Sequence, residues 1–79
     1  MKYYRITAKT PYCGEYNYYY IATDSHYDLM EFASECVDDN ANEWYSDNDY
    51  NYPEWDDFLA DCYCDIEEID EAEFYNEVL

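Results

Sequence analysis

The sequence predicts an α+β fold: an N-terminal β-hairpin, part of a small antiparallel sheet, packed against a long amphipathic acidic helix and one or two short helices. Three observations carry that expectation. Residues 1–23 are rich in strand formers, and Tyr4, Ile6 and Ala8 alternate against Tyr3, Arg5, Thr7 and Lys9. At Ser25 the apolar period changes from two to 3.6, with Leu29, Met30, Ala33, Cys36, Val37, Ala41 and Trp44 recurring at three- and four-residue steps. The chain is 79 residues long, which is one small domain (1–79) whose core supplies only a few kcal/mol of net stability.

Taken in order, Met1 to Thr10 reads as the first strand. Pro11 to Glu15 holds the only glycine of the chain and marks a turn. Tyr16 to Thr23, YNYYYIAT, returns antiparallel. Ser25 is suited to cap the long helix over Ser25–Tyr45, with Asp28 three residues on in the place of a capping-box acid. Ser46 to Tyr52, SDNDYNY, reads as a loop. Pro53 suits the first position of a second helix, on which Trp55, Phe58, Leu59 and Cys62 share a face. Residues 61–69 fit two patterns. Cys62, Ile66 and Ile69 continue a helical stripe, whereas CYCDIEEI also alternates. A third strand over about Asp61–Glu67 is the favoured reading, because a two-stranded hairpin alone is marginal. Asp70 then caps a short terminal helix, EAEFYNEV.

Charge separates this chain from an ordinary small domain. Twenty-one acids against three bases give a net charge of −18. The bases Lys2, Arg5 and Lys9 all lie in the first strand, while 20 of the acids fall between Asp24 and Glu77. A hydrophobic fraction of 49% with 13 tyrosines excludes a disordered acidic tail. Such a body repels nucleic acid and anionic membranes and attracts basic surfaces. Its own repulsion predicts that added salt stabilises it. The sequence has no apolar run long enough to span a membrane and no signal-peptide core at MKYYRITAKT. A cytoplasmic protein with Cys13, Cys36, Cys62 and Cys64 as reduced thiols is expected. Monomer and homodimer are both compatible with these features.

Chemistry is thinly represented. Cys62-Tyr63-Cys64 has one intervening residue, not the two to four of ordinary zinc sites. Small apolar packing is the simpler reading of these cysteines. Asp47, Asp49 and Asn51 match the first ligands of a calcium loop, but Tyr52 stands where glycine is needed and Phe58 where glutamate is needed. His26 is the only histidine and has no nucleophile signature around it. A single glycine leaves no phosphate-cradling loop. The expectation is a protein without catalytic residues, metal or cofactor.

The remaining constellation is the acid surface. Asp28, Glu31, Glu35, Asp38, Asp39 and Glu43 occupy the helix side opposite the apolar residues, and no Lys or Arg is interleaved, although like charges at this spacing weaken a helix. Asp28, Glu31, Glu35 and Asp38 rise by about 4.5–6 Å per step, comparable with the roughly 3.4 Å between phosphates along one strand of a duplex. Asp56, Asp57, Asp61, Asp65, Glu67, Glu68, Glu71 and Glu73 form a second series expected to add another row. Together these acids are the candidate partner-binding residues. Tyr and Trp beside them suit stacking on arginines. The implied partner is a basic nucleic-acid-binding protein, with no direct binding of nucleic acid or membrane. The competing reading is an acidic adaptor, or the neutralising partner of a basic protein.

In size, composition and lack of catalytic motifs the chain resembles the small acidic DNA-mimic inhibitors carried by phages and mobile elements, the anti-CRISPR and anti-restriction class. Glu71-Ala72-Glu73-Phe74-Tyr75-Asn76-Glu77 is similar to an acidic Glu/Phe/Tyr/Asn stretch of a phage-encoded inhibitor of the RNA-guided nuclease of type II CRISPR systems, over seven of 79 residues. The resemblance implies a protein acting in a bacterial host cell. It would occupy the DNA-binding groove of a CRISPR effector, restriction enzyme or other regulatory protein, whose Arg and Lys would pair with the carboxylates named above.

Overall fold

The computed structural model describes residues 1–11, 15–47 and 54–78. The element order is β1 (Lys2–Lys9), β2 (Tyr16–Thr23), α1 (His26–Asp47), α2 (Trp55–Asp61), β3 (Tyr63–Ile69) and α3 (Glu71–Val78). The strands form one antiparallel sheet in the order β2-β1-β3. The α+β fold expected from the sequence is the one observed.

Register explains how alternation becomes a layered fold. Ile6 lies opposite Tyr19 on one side and Ile66 on the other, and Ala8 opposite Asn17 and Cys64. These residues share one sheet face, and α1 packs on it. Ile6, Ala8, Leu29, Ala33 and Cys36 are buried together, with Tyr4, Tyr19, Ile21, Phe32 and Cys64 packed around them. The other face carries Tyr3, Arg5, Thr7 and Lys9 in the middle strand. α3 covers only one end of it: Tyr3 meets Phe74 at 4.9 Å and Tyr75 at 6.1 Å between ring centroids. The sheet is thus sandwiched by a long helix below and a short one above.

Caps fix where the helices begin. The Ser25 hydroxyl accepts the Asp28 amide at 3.2 Å, satisfying one donor the first turn leaves unpaired. The Asp70 carboxylate accepts the Glu73 amide at 2.7 Å in the same way. Both caps are those expected from the sequence. The hairpin is also closed as expected, with the Thr10 amide donating to the Glu15 carbonyl at 3.2 Å.

Several boundaries differ from expectation for identifiable reasons. α1 continues through Ser46 and Asp47, which had read as the start of a loop. The rest of that loop, the helix-starting role of Pro53 and the calcium-like positions Asp49 to Tyr52 lie outside the described residues, as do Tyr12, Cys13 and Gly14 of the expected turn. α2 starts at Trp55 with Glu54 as its extended N-cap. The third strand runs Tyr63–Ile69 rather than about Asp61–Glu67. Asp61 belongs to the last turn of α2, and Cys62 ends that helix with its amide on the Leu59 carbonyl at 3.1 Å. At the far end Ile69 is held opposite Tyr3 and is buried. Met30, placed on the apolar face by periodicity, is 46% exposed. The buried stripe runs Leu29, Ala33, Cys36, Asn40 and Ala41, one position away from it, and the half-buried Phe32 packs beside the core instead.

Two local clusters complete the packing. Phe58 of α2 is fully buried, and Tyr45 reaches it and Trp55 at 5.2 and 5.3 Å. Asn40 is also fully buried. Its amide nitrogen donates to the Ala8 carbonyl at 3.1 Å, and its oxygen accepts from Asn17 at 2.5 Å and from the Trp44 indole at 3.1 Å. One side chain thereby ties α1 to β1 and β2.

Candidate acidic interface

The helix α1 positions the acids, and its buried stripe fixes which way they point. With Leu29, Ala33 and Cys36 held on the sheet, Asp28, Glu31, Glu35, Asp38, Asp39 and Glu43 are all exposed. At 100° per residue they occupy roughly 140° of the helix circumference, and from first to last they span about 22 Å of axis. Glu43 is anchored by the Asn17 amide at 2.8 Å. Among the described residues no ion pair reaches any of these six carboxylates.

The chain's bases are placed elsewhere. Arg5 lies directly opposite Glu67 in the β1–β3 ladder and is bound to it, and its other terminal nitrogen is 3.7 Å from Glu73 of α3. Lys9 reaches diagonally to Asp65 at 2.7 Å. These cross-strand pairs explain why an acid-rich segment such as YCDIEEI forms a strand at this position. Arg5 and Lys9 also lie over tyrosine rings, Arg5 over Tyr18 at 5.4 Å and Lys9 over Tyr63 at 5.8 Å. The N-terminal ammonium sits 3.6 Å from Asp24.

The fourteen candidate residues therefore divide. Asp56, Asp57 and Asp61 are exposed on α2, which packs against α1. Asp65, Glu67, Glu71 and Glu73 belong to the opposite side of the sheet, and three of these four are occupied by Lys9 and Arg5. Glu68 is exposed on β3, on the α1 side of the sheet. The second series is thus not one row beside the first. Among the described residues the longest line of acids that no base reaches is on α1.

Sequence reasoning missed the tyrosine face. Tyr16, Tyr18 and Tyr63 are about half exposed (44%, 51% and 52%) on the sheet side that α3 leaves open. Tyr16 and Tyr18 meet edge to face at 5.3 Å. The signal was present in the even-numbered tyrosines of YNYYYIAT, which alternation assigns to the side away from α1. It becomes legible only once the register with β1 is known.

No three His, Cys, Asp or Glu side chains converge as a metal site among the described residues. Cys36, Cys62 and Cys64 carry free thiols. Burial, followed by the nearby charge of Asp39, pushes the Cys36 thiol up to about 12. Burial also raises Cys62 and Cys64. The phenols of Tyr3, Tyr19 and Tyr20 are raised chiefly by burial, and that of Tyr16 by its hydrogen bond with Tyr18. Hydrogen bonding to Glu67 and Asp65 raises Arg5 and Lys9. Every one of these groups holds its proton more tightly in the folded state than unfolded. The thiol contribution is therefore intact below the unfolded value of 9.0, that of the phenols below 10.0 and that of Lys9 below 10.5. Each is lost as pH rises through its raised folded value, whereas that of Arg5 lies above this range. Urea unfolding midpoints should fall steadily between about pH 9 and pH 11. A midpoint that holds constant over that range contradicts these placements.

No helix among the described residues is long and apolar enough to cross a membrane. Comparison with protein-family models, with curated proteins and with solved structures found no match for this chain.

Proposed function

We propose that this protein is a non-catalytic, cytoplasmic inhibitor of the nucleic-acid-mimic type. It occupies the basic DNA- or RNA-binding groove of a bacterial defence or regulatory protein, with α1 as the contact surface. The observation that carries the reading is the segregation of charge. All three bases lie on β1, Arg5 and Lys9 are bound by acids of β3 and α3, and the six carboxylates of α1 are left exposed and uncompensated. Beyond the Glu43–Asn17 contact and Asp28 in the first turn, folding gains little from that arrangement, since like charges along a helix lower its stability. The apolar stripe of α1 would hold the fold with neutral residues on the outer side equally well.

Six carboxylates over about 22 Å give one charge per roughly 4.5 Å, somewhat sparser than one duplex strand. The mimicry is of a single charged strand, without base edges. Contact would be dominated by Arg and Lys of the groove, so association should be fast and weakened by salt. An acidic adaptor that binds a basic surface unrelated to nucleic acid shares all of this except the nature of the target. Immobilised protein exposed to host lysate separates the two. The mimic reading expects salt-eluted captured proteins to bind DNA or RNA by themselves, and a captured target with no such activity contradicts it.

A further inference from the structure

The two edges of the sheet are treated differently. β3, at one edge, carries Asp65, Glu67 and Glu68 within seven residues. β2, at the other edge, is eight residues long, has no charged residue and no proline, and pairs only with β1. Among the described residues no strand satisfies its outer row of backbone amides and carbonyls. Charges and proline are the usual devices that keep an edge strand from pairing with another chain, and β2 has none. In a chain with 24 charged residues out of 79, this uncharged strip is where two copies meet least repulsion.

We infer that β2 is a self-association edge, pairing antiparallel with β2 of a second copy to make a continuous six-stranded sheet. An extended strand pairs antiparallel with its own dyad-related copy, so one surface suffices for both partners. A basic partner finds no carboxylate on β2, and what the edge offers is backbone pairing and tyrosine, the residue favoured in interface cores where charge is depleted. A dyad normal to the sheet leaves both copies' α1 on the same face. It also joins Tyr16, Tyr18 and Tyr20 of the two copies into one aromatic row on the other. The inference holds whether or not the proposed target is right.

Its salt dependence is opposite to that of binding a basic groove. Two bodies of net charge −18 repel, so screening should strengthen the dimer while weakening capture of a basic partner. Sedimentation velocity across protein concentration and salt reads this directly. The dimer fraction should rise with both. Tyr18→Glu should weaken association by roughly tenfold or more. Tyr63→Glu is the matched control: equal exposure, the same kind of cation contact, but on β3. It should leave the dimer unchanged, with circular dichroism confirming that both variants fold. If Tyr18→Glu does not fold, amide exchange of the unaltered protein decides. Alternate β2 amides should exchange more slowly as concentration rises, and rates independent of concentration overturn the inference. A monomer at every concentration in roughly 1 M salt, where the screening length is about 3 Å, also overturns it. So does equal disruption by the two variants.

Discussion

Reversing Glu31, Glu35 and Asp38 together to Lys is expected to abolish binding to the basic target, with affinity falling at least about a thousandfold, and to leave the fold in place. All three side chains are exposed and none has an ion-pair partner among the described residues. Each reversal adds two positive units to a chain of net charge −18, so the variant should if anything gain stability from reduced repulsion. The large loss comes from placing three like charges against the target's own Arg and Lys, each juxtaposition costing more than the deletion of a contact. Single changes such as Glu31→Gln should cost little, on the order of 0.2–1 kcal/mol, because a solvated pair contributes no more than that. Titration calorimetry at fixed salt checks the contrast. Retained affinity in the triple variant would place the contact surface elsewhere, with Asp56, Asp57 and Asp61 of α2 the next to reverse.

The second large effect is on the fold. Asn40→Ala should cost about 3 kcal/mol, because it strands the Ala8 carbonyl in a fully buried position and removes the acceptor shared by the half-buried Asn17 amide and Trp44 indole, at roughly 1–3 kcal/mol for a buried unsatisfied group. Asn17 retains Glu43 as a partner, which limits its share. For a domain of this size 3 kcal/mol corresponds to roughly 12–24 °C in Tm, a large part of what so small a core supplies. Asn42→Ala is the internal comparison. Asn42 is exposed and returns its amide to the Asp38 carbonyl at 3.0 Å within its own helix, so its loss should fall within about 0.5 kcal/mol. Equal melting temperatures for the two variants would mean that Asn40 does not tie the helix to the sheet.

Asn40 also shows where sequence reading stops. It sits in DDNAN, a run whose polar residues composition assigns to solvent, yet it occupies a position on the buried stripe between Cys36 and Ala41. Periodicity records apolar residues, so a buried amide chosen for its hydrogen bonds leaves a gap in the pattern. The hairpin, the long helix and both Ser25 and Asp70 caps were legible because each depends on residues within a few positions of one another. The third strand was legible in kind but displaced by two residues, since its start waits on the end of α2 at Asp61 and its far limit is set by the pairing of Ile69 with Tyr3, distant in sequence. The acids of α1 could be placed from the helix alone. Those after Asp61 could not, because only the sheet register shows that Glu67 faces Arg5 and that Asp65 reaches Lys9. The division of the acids into an uncompensated helix and a paired sheet is a property of the fold.

The central claim is that α1 takes the place of a nucleic acid strand. The most direct measurement uses the captured target and its own labelled DNA or RNA, followed by fluorescence anisotropy as this protein is added. The account predicts that the nucleic acid is displaced as the protein approaches equimolar amount with the target. It also predicts that the Glu31, Glu35 and Asp38 triple reversal displaces none. Nucleic acid that stays bound while the protein is also bound would contradict it, and would identify the protein as an acidic adaptor.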